Sequence, residues 1–122
     1  MRNLIIYNLT HQTEPVQAKH AESFFPKLAG LMFRKNLPKN SGLLLTEKND
    51  SVVNSSIHML FMRFDICVVW INSNYKVVDV KIAKKWHLAY FSKKPAQSVL
   101  ELNVSREKDF LVGDQLKIEN EK

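Results

Sequence analysis

The sequence predicts a mainly β domain of the α+β class: a small barrel-like or sandwich antiparallel sheet of six to eight short strands, with one main α-helix at about residues 24–35. Two observations predict this class. Short stretches rich in β-branched and aromatic residues recur along the chain between turn residues. Only one segment repeats its apolar residues at the spacing of a helix. Many short strands with a single helix favour a compact barrel or sandwich.

The first third of the chain predicts two strands followed by the helix. The segment RNLIIYNL, residues 2–9, is β-branched and aromatic, and VQAKHAES, residues 16–23, alternates loosely between apolar and polar side chains. The apolar residues after Ser23 recur at helical spacing: Phe24, Phe25, Leu28, Leu31 and Met32. Ser23 can cap the helix that this spacing predicts. The segment NLPKNSG ends this helix, and LLLT, residues 43–46, is predicted as a short strand.

The longest apolar stretch, SIHMLFMRFDICVVWI at residues 56–71, is not predicted to be a single strand. At about 3.3 Å per residue it would span about 50 Å, which is too long for so small a domain. We therefore predict a break or strong bend near residues 62–65. The tetrapeptide NSNY, residues 72–75, is predicted as the turn of a hairpin that returns through KVVDVKIA, residues 76–83. Two further strands are predicted in SVLELNV and VGDQLKI.

Length and composition indicate one domain, residues 1–122, that needs neither a metal nor a disulfide to fold. Residues 117–122 are predicted to form a polar C-terminal tail. The single cysteine, Cys67, lies in an apolar run, where a thiol usually packs as a small buried hydrophobe. The first residues contain no apolar run long enough for a secretory signal or a membrane span. We therefore expect a cytoplasmic monomer that does not contact a membrane.

Three segments together resemble a known family: AESFFPKLAGLMFRKNLP, SIHMLFMRFDICVVWINSNYKVV, and SVLEL followed by VGDQL. In order and spacing they are similar to the family called domain of unknown function 192, or UPF0127, over about residues 4–116. The resemblance implies a small, mostly β domain and brings no established activity. The family's FPID motif falls on residues 64–67, so Cys67 stands at its aspartate and Asp65 at its proline. Tyr75 stands where the family has the glycine of the hairpin turn.

Ionisable residues around the central stretch form the predicted site. Side chains alternate along a strand, so Arg63 and Asp65 share a face and form either an ion pair at the rim of the sheet or part of a pocket mouth. A bend would bring His58 to the same place; otherwise His58 is a structural histidine. Arg34, in the last helical turn, either bonds helix carbonyls or binds an anion in that pocket. Glu101 lies between apolar residues and is expected to face water or a cationic partner, for which Arg63 or Arg34 would be suitable.

The predicted function is a non-enzymatic binding module, because the candidate residues lack any catalytic pattern. The ligand is expected to be small and polar or anionic, since the site has more cationic than anionic groups: Arg34, His58, Arg63, Asp65 and Glu101. The alternative is a hydrolase-like enzyme in which His58 is the base and Asp65 orients it, which requires a bulge between them. The chain shows no nucleophile motif, glycine-rich phosphate loop or metal-ligand histidine spacing. We therefore predict no catalytic residue, metal or cofactor.

A basic region gives a further hypothesis. The chain has a net charge of +6, and much of it lies in residues 76–94. This segment contains one acidic residue, Asp79, and six lysines: Lys76, Lys81, Lys84, Lys85, Lys93 and Lys94. Aromatic residues stand in or beside this lysine band: Tyr75, Trp86, Tyr90 and Phe91. Such a mixture can bind single-stranded nucleic acid or an acidic surface. It also arises when a strand buries its aromatic residues and exposes its lysines.

Overall fold

The computed structural model describes residues 2–21, 37–57, 59, 62–87 and 89–121. Within these residues, seven strands form one sheet that curls into a half-barrel. The strands are β1 (Arg2–Asn8), β2 (Val16–Ala21), β3 (Ser41–Ser51), β4 (Ile66–Ile71), β5 (Val77–Ala83), β6 (Ala96–Leu102) and β7 (Leu116–Asn120), and a 3-10 helix covers Val104–Asp109. The mainly β, barrel-like class predicted from the sequence is confirmed. The helix predicted at about residues 24–35 lies outside the described residues.

Across the sheet the strands follow the order β5-β4-β6-β3-β2-β1-β7. The described pairings are antiparallel, as predicted, apart from β2 and β3, which run parallel from the pair Gln17 and Ser41 to the pair Ala21 and Leu45. A parallel pair needs a connection of about a dozen residues or more to bring the chain back. The segment between these two strands, residues 22–40, has that length.

The break predicted near residues 62–65 is present, since β4 begins only at Ile66, after a bend at Arg63 and Phe64. The predicted turn joins β4 to β5, and the Asn72 side chain holds it. Its Oδ1 accepts hydrogen bonds from the backbone N–H groups of Asn74 and Lys76, both at 3.0 Å.

The polar tail predicted at residues 117–122 requires a correction, because residues 117–120 belong to β7. In this strand Leu116 is buried and Ile118 is half-buried against the core, while Lys117 and Glu119 are exposed. Polar and apolar residues alternate because one face of the strand packs inward and the other meets water. The polar composition of this segment therefore reflects a half-buried edge strand.

The two edge strands, β5 and β7, meet at a single place. Lys76 pairs with Gln115 in an isolated antiparallel bridge. Beside it, the backbone N–H groups of Val77 and Leu116 donate to the carbonyl oxygens of Asp114 and Tyr75, at 2.9 and 2.8 Å respectively. Within the described residues β5 and β7 form no further pairing. The sheet therefore closes at one point and has an open mouth where β7 continues beyond the bridge.

Apolar side chains form one cluster on each face of the sheet. All seven strands contribute to the cluster on the inner face, which includes Leu4, Val16, Leu44, Val69, Val77, Leu100 and Leu116. The outer-face cluster is built mainly on β3, β4 and β6 and includes Leu43, Val68, Trp70 and Val99. Adjacent residues of one strand belong to different clusters because successive side chains point to opposite faces.

A buried arginine joins three separate segments of the chain. Arg106, in the 3-10 helix, is 1% exposed. Its guanidinium donates hydrogen bonds to the Asp109 carboxylate and the Glu14 carbonyl, both at 2.5 Å, and to the Lys39 carbonyl at 3.3 Å. These acceptors replace the water that the charge loses on burial. Arg106 thereby ties the 3-10 helix to the loops that precede β2 and β3.

We expect Arg106→Met to lower the free energy of unfolding by about 1–3 kcal/mol, because it removes the donor of the hydrogen bonds to the Asp109 carboxylate and to the Glu14 and Lys39 carbonyls. Arg106→Lys should recover only part of this loss, since an ammonium cannot reproduce the planar fork of donors. Urea unfolding of the variants measures both effects. Lys108→Ala, at an exposed position of the same 3-10 helix, is the control and should stay within about 0.5 kcal/mol of the wild type. A comparable loss in that control would contradict the assignment.

Candidate functional site

Two of the five residues predicted to form the site lie outside the described residues: Arg34 and His58. Asp65 is described and accepts a hydrogen bond from the backbone N–H of Lys85 at 2.7 Å. Its other carboxylate oxygen lies 3.9 Å from Nζ of Lys84. Arg63 is exposed and makes no hydrogen bond or ion pair with another described residue, so the predicted pair of Arg63 and Asp65 is not formed. Asp65 instead joins the two ends of the β4–β5 hairpin.

Glu101 lies in β6 and is 5% exposed, so it does not face water. It pairs with Leu43 of β3 and Val68 of β4, both of which belong to the outer-face cluster. It forms no ion pair with Arg63, and the three described members of the predicted site make no hydrogen bond with one another. That the five residues share one hollow stays a prediction.

A cavity of about 280 Å³ lies at the open mouth of the half-barrel. Its floor is apolar and consists of Leu4, Leu44 and Ile118 on the inner face. Its walls carry polar side chains that include Arg2, His20, Thr46, Ser98, Tyr75 and Glu119. An apolar floor with a few convergent polar groups is typical of small-molecule sites, which often occupy the mouths of β-barrels.

Four of these side chains form a continuous polar row across β1, β2, β3 and β6. Nη2 of Arg2 lies 3.0 Å from Nδ1 of His20, and Nε2 of His20 lies 2.9 Å from Oγ1 of Thr46. The Thr46 hydroxyl in turn lies 3.2 Å from the hydroxyl of Ser98. Strand register produces this polar row, because Arg2 pairs with His20 and Thr46 pairs with Ser98. The row therefore depends on the fold and not on any local motif.

The direction of the hydrogen bonds follows from the chemistry of arginine. A guanidinium only donates, so Nδ1 of His20 accepts from Arg2, and the ring proton on Nε2 donates to Thr46. Thr46 and Ser98 use one hydroxyl proton between them, and no described acceptor takes the second. The polar row thus offers the cavity a hydroxyl donor beside the positive charge of Arg2.

The sequence interpretation did not find the polar row because its members are far apart in the chain. One signal was present in β2, where His20 follows Val16 and Ala18 at the spacing of two that places side chains on one face. A histidine in an inward position is notable, but its partners on β1 and β3 become neighbours only through strand pairing.

A second polar cluster surrounds Asp114, which is 2% exposed. Its Oδ2 accepts hydrogen bonds from the Asn8 side chain at 2.8 Å and from the Leu111 backbone N–H at 2.9 Å, and Nδ1 of His11 lies 2.9 Å from Oδ1. Burial by itself raises the pKa of Asp114, but the hydrogen bonds outweigh it, and the pKa lies below its ordinary value. The backbone carbonyl of Asp114 also accepts the Val77 N–H, so this cluster stabilises the contact between β5 and β7.

Cys67 is buried on the inner face, as predicted for a thiol in an apolar run. Burial raises the pKa of Cys67 to about 12, and the negative charges of Glu107 and Asp109 act in the same direction. The thiol therefore stays protonated at neutral pH and is a poor nucleophile. It packs as a small apolar side chain.

Among the residues that the structure describes, no group of three or more histidine, cysteine, aspartate or glutamate side chains is arranged to hold a metal ion. In that same part of the chain, no helix has the length and apolar character required to cross a membrane.

The fold and the cavity define a small half-barrel domain with a polar mouth. The sequence comparison identifies the family: the DUF192 model, described as "Uncharacterized ACR, COG1430", matches residues 6–118. The chain belongs to this family, and the resemblance drawn from its three segments is confirmed.

Relatives from archaea carry the same family name. A UPF0127 protein of Thermococcus kodakarensis is 44% identical over 85 residues, which are 70% of this chain and 52% of that protein. A UPF0127 protein of Pyrococcus horikoshii is 34% identical over 105 residues, 83% of this chain and 86% of that protein. The chain thus spans about half the length of the Thermococcus kodakarensis relative.

Two crystal structures share the fold at low sequence identity. One is a protein of Sinorhizobium meliloti 1021 proposed to be a transcription regulator, with a TM-score of 0.79 and 20% identity, covering 95% of this chain and 92% of that one. The other is a protein of unknown function from Novosphingobium aromaticivorans, with a TM-score of 0.80 and 15% identity, covering 94% and 83% of the two chains. At these identities the similarity shows the fold alone.

We expect Cys67 of the folded protein to resist a thiol reagent at about pH 8, because a pKa of about 12 leaves almost no thiolate and the side chain is buried. The absorbance of the thiolate released from Ellman's reagent measures the rate of the reaction. The control is the same protein unfolded in guanidinium chloride, where the thiol should react at the rate of an ordinary cysteine. Fast labelling of the native protein would contradict the assignment.

Asp114→Asn should lower the free energy of unfolding by about 1.5–3 kcal/mol at neutral pH, since an amide cannot accept all the hydrogen bonds that this carboxylate accepts. The pKa of Asp114 is lower in the folded chain than in the unfolded chain. Its contribution is therefore fully present above the unfolded pKa of about 4 and is lost as pH falls through the folded pKa. Urea unfolding at several pH values should show the two proteins converging in acid. A difference that grows in acid would refute this account.

Proposed function

We propose that the protein is a binding module whose ligand is small and polar or anionic, and that the ligand occupies the cavity at the mouth of the half-barrel. The observation that carries the proposal is the polar row, which places the Arg2 cation and a hydroxyl donor at the edge of that cavity. Both groups donate hydrogen bonds, and a carboxylate or phosphate oxygen accepts them. The nature of the expected ligand agrees with the hypothesis drawn from the sequence, but the proposed residues differ.

The charge balance at the mouth supports an anionic ligand. Glu119 is the acidic residue among the described residues that line the cavity, and its carboxylate lies 2.7 Å from Nζ of Lys117 on the same strand. This pairing offsets the negative charge next to the cavity. An anionic ligand would therefore meet little repulsion from Glu119.

The shape of the cavity limits the size of the ligand. A volume of about 280 Å³ lies at the lower end of the range for small-molecule sites. The apolar floor of Leu4, Leu44 and Ile118 suits a short carbon skeleton, while the polar row suits its charged group. Small organic acids and phosphorylated metabolites combine both features.

Thermal unfolding with a panel of small anions tests the proposal. The panel contains acetate, succinate, inorganic phosphate and glycerol phosphate. A ligand present at about 100 times its Kd stabilises the folded state by about 2.7 kcal/mol, which raises Tm by several degrees for a domain of this size. We expect at least one compound to give such a saturable shift in the wild type.

Two matched variants locate the site. Arg2→Ala should weaken binding about tenfold or more, because it removes a charge-assisted donor at the cavity. Arg63→Ala removes the same charge from the region predicted by the sequence, where the side chain is exposed, and should leave binding unchanged. No saturable shift with any anion in the wild type would refute the proposal. Weaker binding in Arg63→Ala alone would move the site to the residues predicted from the sequence.

A further inference from the structure

We propose a second binding surface, separate from the mouth cavity: the turn at residues 84–87 presents Trp86 and adjacent lysines to single-stranded nucleic acid. Trp86 is 56% exposed, although most large aromatic residues gain stability from burial. It also adopts φ 69°, in the left-handed region that bulky side chains rarely occupy. The turn therefore holds an exposed indole in a strained conformation.

Contacts with three other parts of the chain fix this turn. The backbone N–H of Lys85 donates to the Asp65 carboxylate at 2.7 Å, and the N–H of Trp86 donates to the Met59 carbonyl at 2.9 Å. The N–H of Lys84 donates to the Tyr90 hydroxyl at 2.9 Å. The indole is thus attached to an ordered backbone, which reduces the entropy lost when a planar ligand stacks on it.

Further aromatic rings and positive charges lie beside Trp86. The rings of His87 and Tyr90 are stacked, with centroids 5.7 Å apart and planes 18° apart. Lys84 and Lys85 are exposed, and Lys85 pairs with no carboxylate among the described residues. The rings offer stacking surfaces for the bases of a single-stranded nucleic acid, and the unneutralised lysines attract its phosphates.

The charge of the surface is only partly neutralised by the protein. Lys84 lies 3.9 Å from an oxygen of Asp65, which is a loose contact, and Lys81 lies 3.6 Å from an oxygen of Asp79. Lys93 and Lys94 are exposed and form no ion pair with a described carboxylate. A polyanion would neutralise these lysines. If it is a single-stranded nucleic acid, its exposed bases also stack on the indole of Trp86.

Fluorescence anisotropy of a labelled oligothymidylate of about 12 nucleotides, titrated with the full chain, tests the proposal. Trp86→Gly removes the indole and suits a positive φ, so this variant should fold at least as well as the wild type. We expect it to bind at least about fivefold more weakly, the effect of losing one stacked base. Trp86→Phe keeps a ring and should retain most of the affinity.

Charge dependence gives the second readout. Affinity should fall with salt, with a slope of about −2 in log Kobs against log salt if about three phosphates are contacted. Lys85→Ala should reduce that slope, whereas Lys108→Ala, an equal change of charge at an exposed position of the 3-10 helix, should not. Unchanged binding by Trp86→Gly would overturn the proposal. So would equal affinity for polyglutamate or anionic vesicles, since neither offers bases for stacking.

Discussion

The single bridge between the two edge strands determines the shape of the molecule. Lys76 and Gln115 pair immediately before β5 and β7 begin. Because the pair is antiparallel, the two strands run away from each other beyond the bridge and cannot pair along their lengths. A sheet that could close into a barrel therefore remains a half-barrel. The buried Asp114 lies within this contact, where its carbonyl accepts the Val77 N–H. The hydrogen bonds around Asp114 therefore help to hold the two edges of the sheet together.

The inner face differs in polarity between its two ends, and β4 connects them. At the beginning of β4, Cys67 is buried near the charged residues of the 3-10 helix, where Arg106 ties the loops together. At the other end, Ile71 pairs with Ser98, the last member of the polar row. Apolar side chains of all seven strands fill the space between. The buried Arg106 thus lies at one end of the inner face, and the cavity lies at the other.

The sequence predicted what depends on neighbouring residues and missed what depends on strand pairing. The class, the family, the break before Ile66 and the turn at residues 72–75 follow from composition, spacing and segment length. Alternation along a strand puts Arg63 and Asp65 on one face, but a bend precedes β4, and Asp65 contacts Lys84 and Lys85 across the hairpin. The polar row joins residues from four strands, and no spacing in the sequence reveals that register.

In the part of the chain that the structure describes, two aromatic residues occupy left-handed backbone positions, and each lies at one of the proposed binding surfaces. Tyr75 has φ 61° and Trp86 has φ 69°, conformations that cost a non-glycine residue about 1–3 kcal/mol. Tyr75 replaces the glycine that the family resemblance places in this turn, and glycine would avoid the cost. Neither side chain offsets it by filling the core, since they are 52% and 56% exposed. Tyr75 instead forms part of the cavity wall, and Trp86 projects from a turn beside lysines. Backbone strain of this kind clusters at binding sites in proteins, so both positions agree with the two proposed binding surfaces.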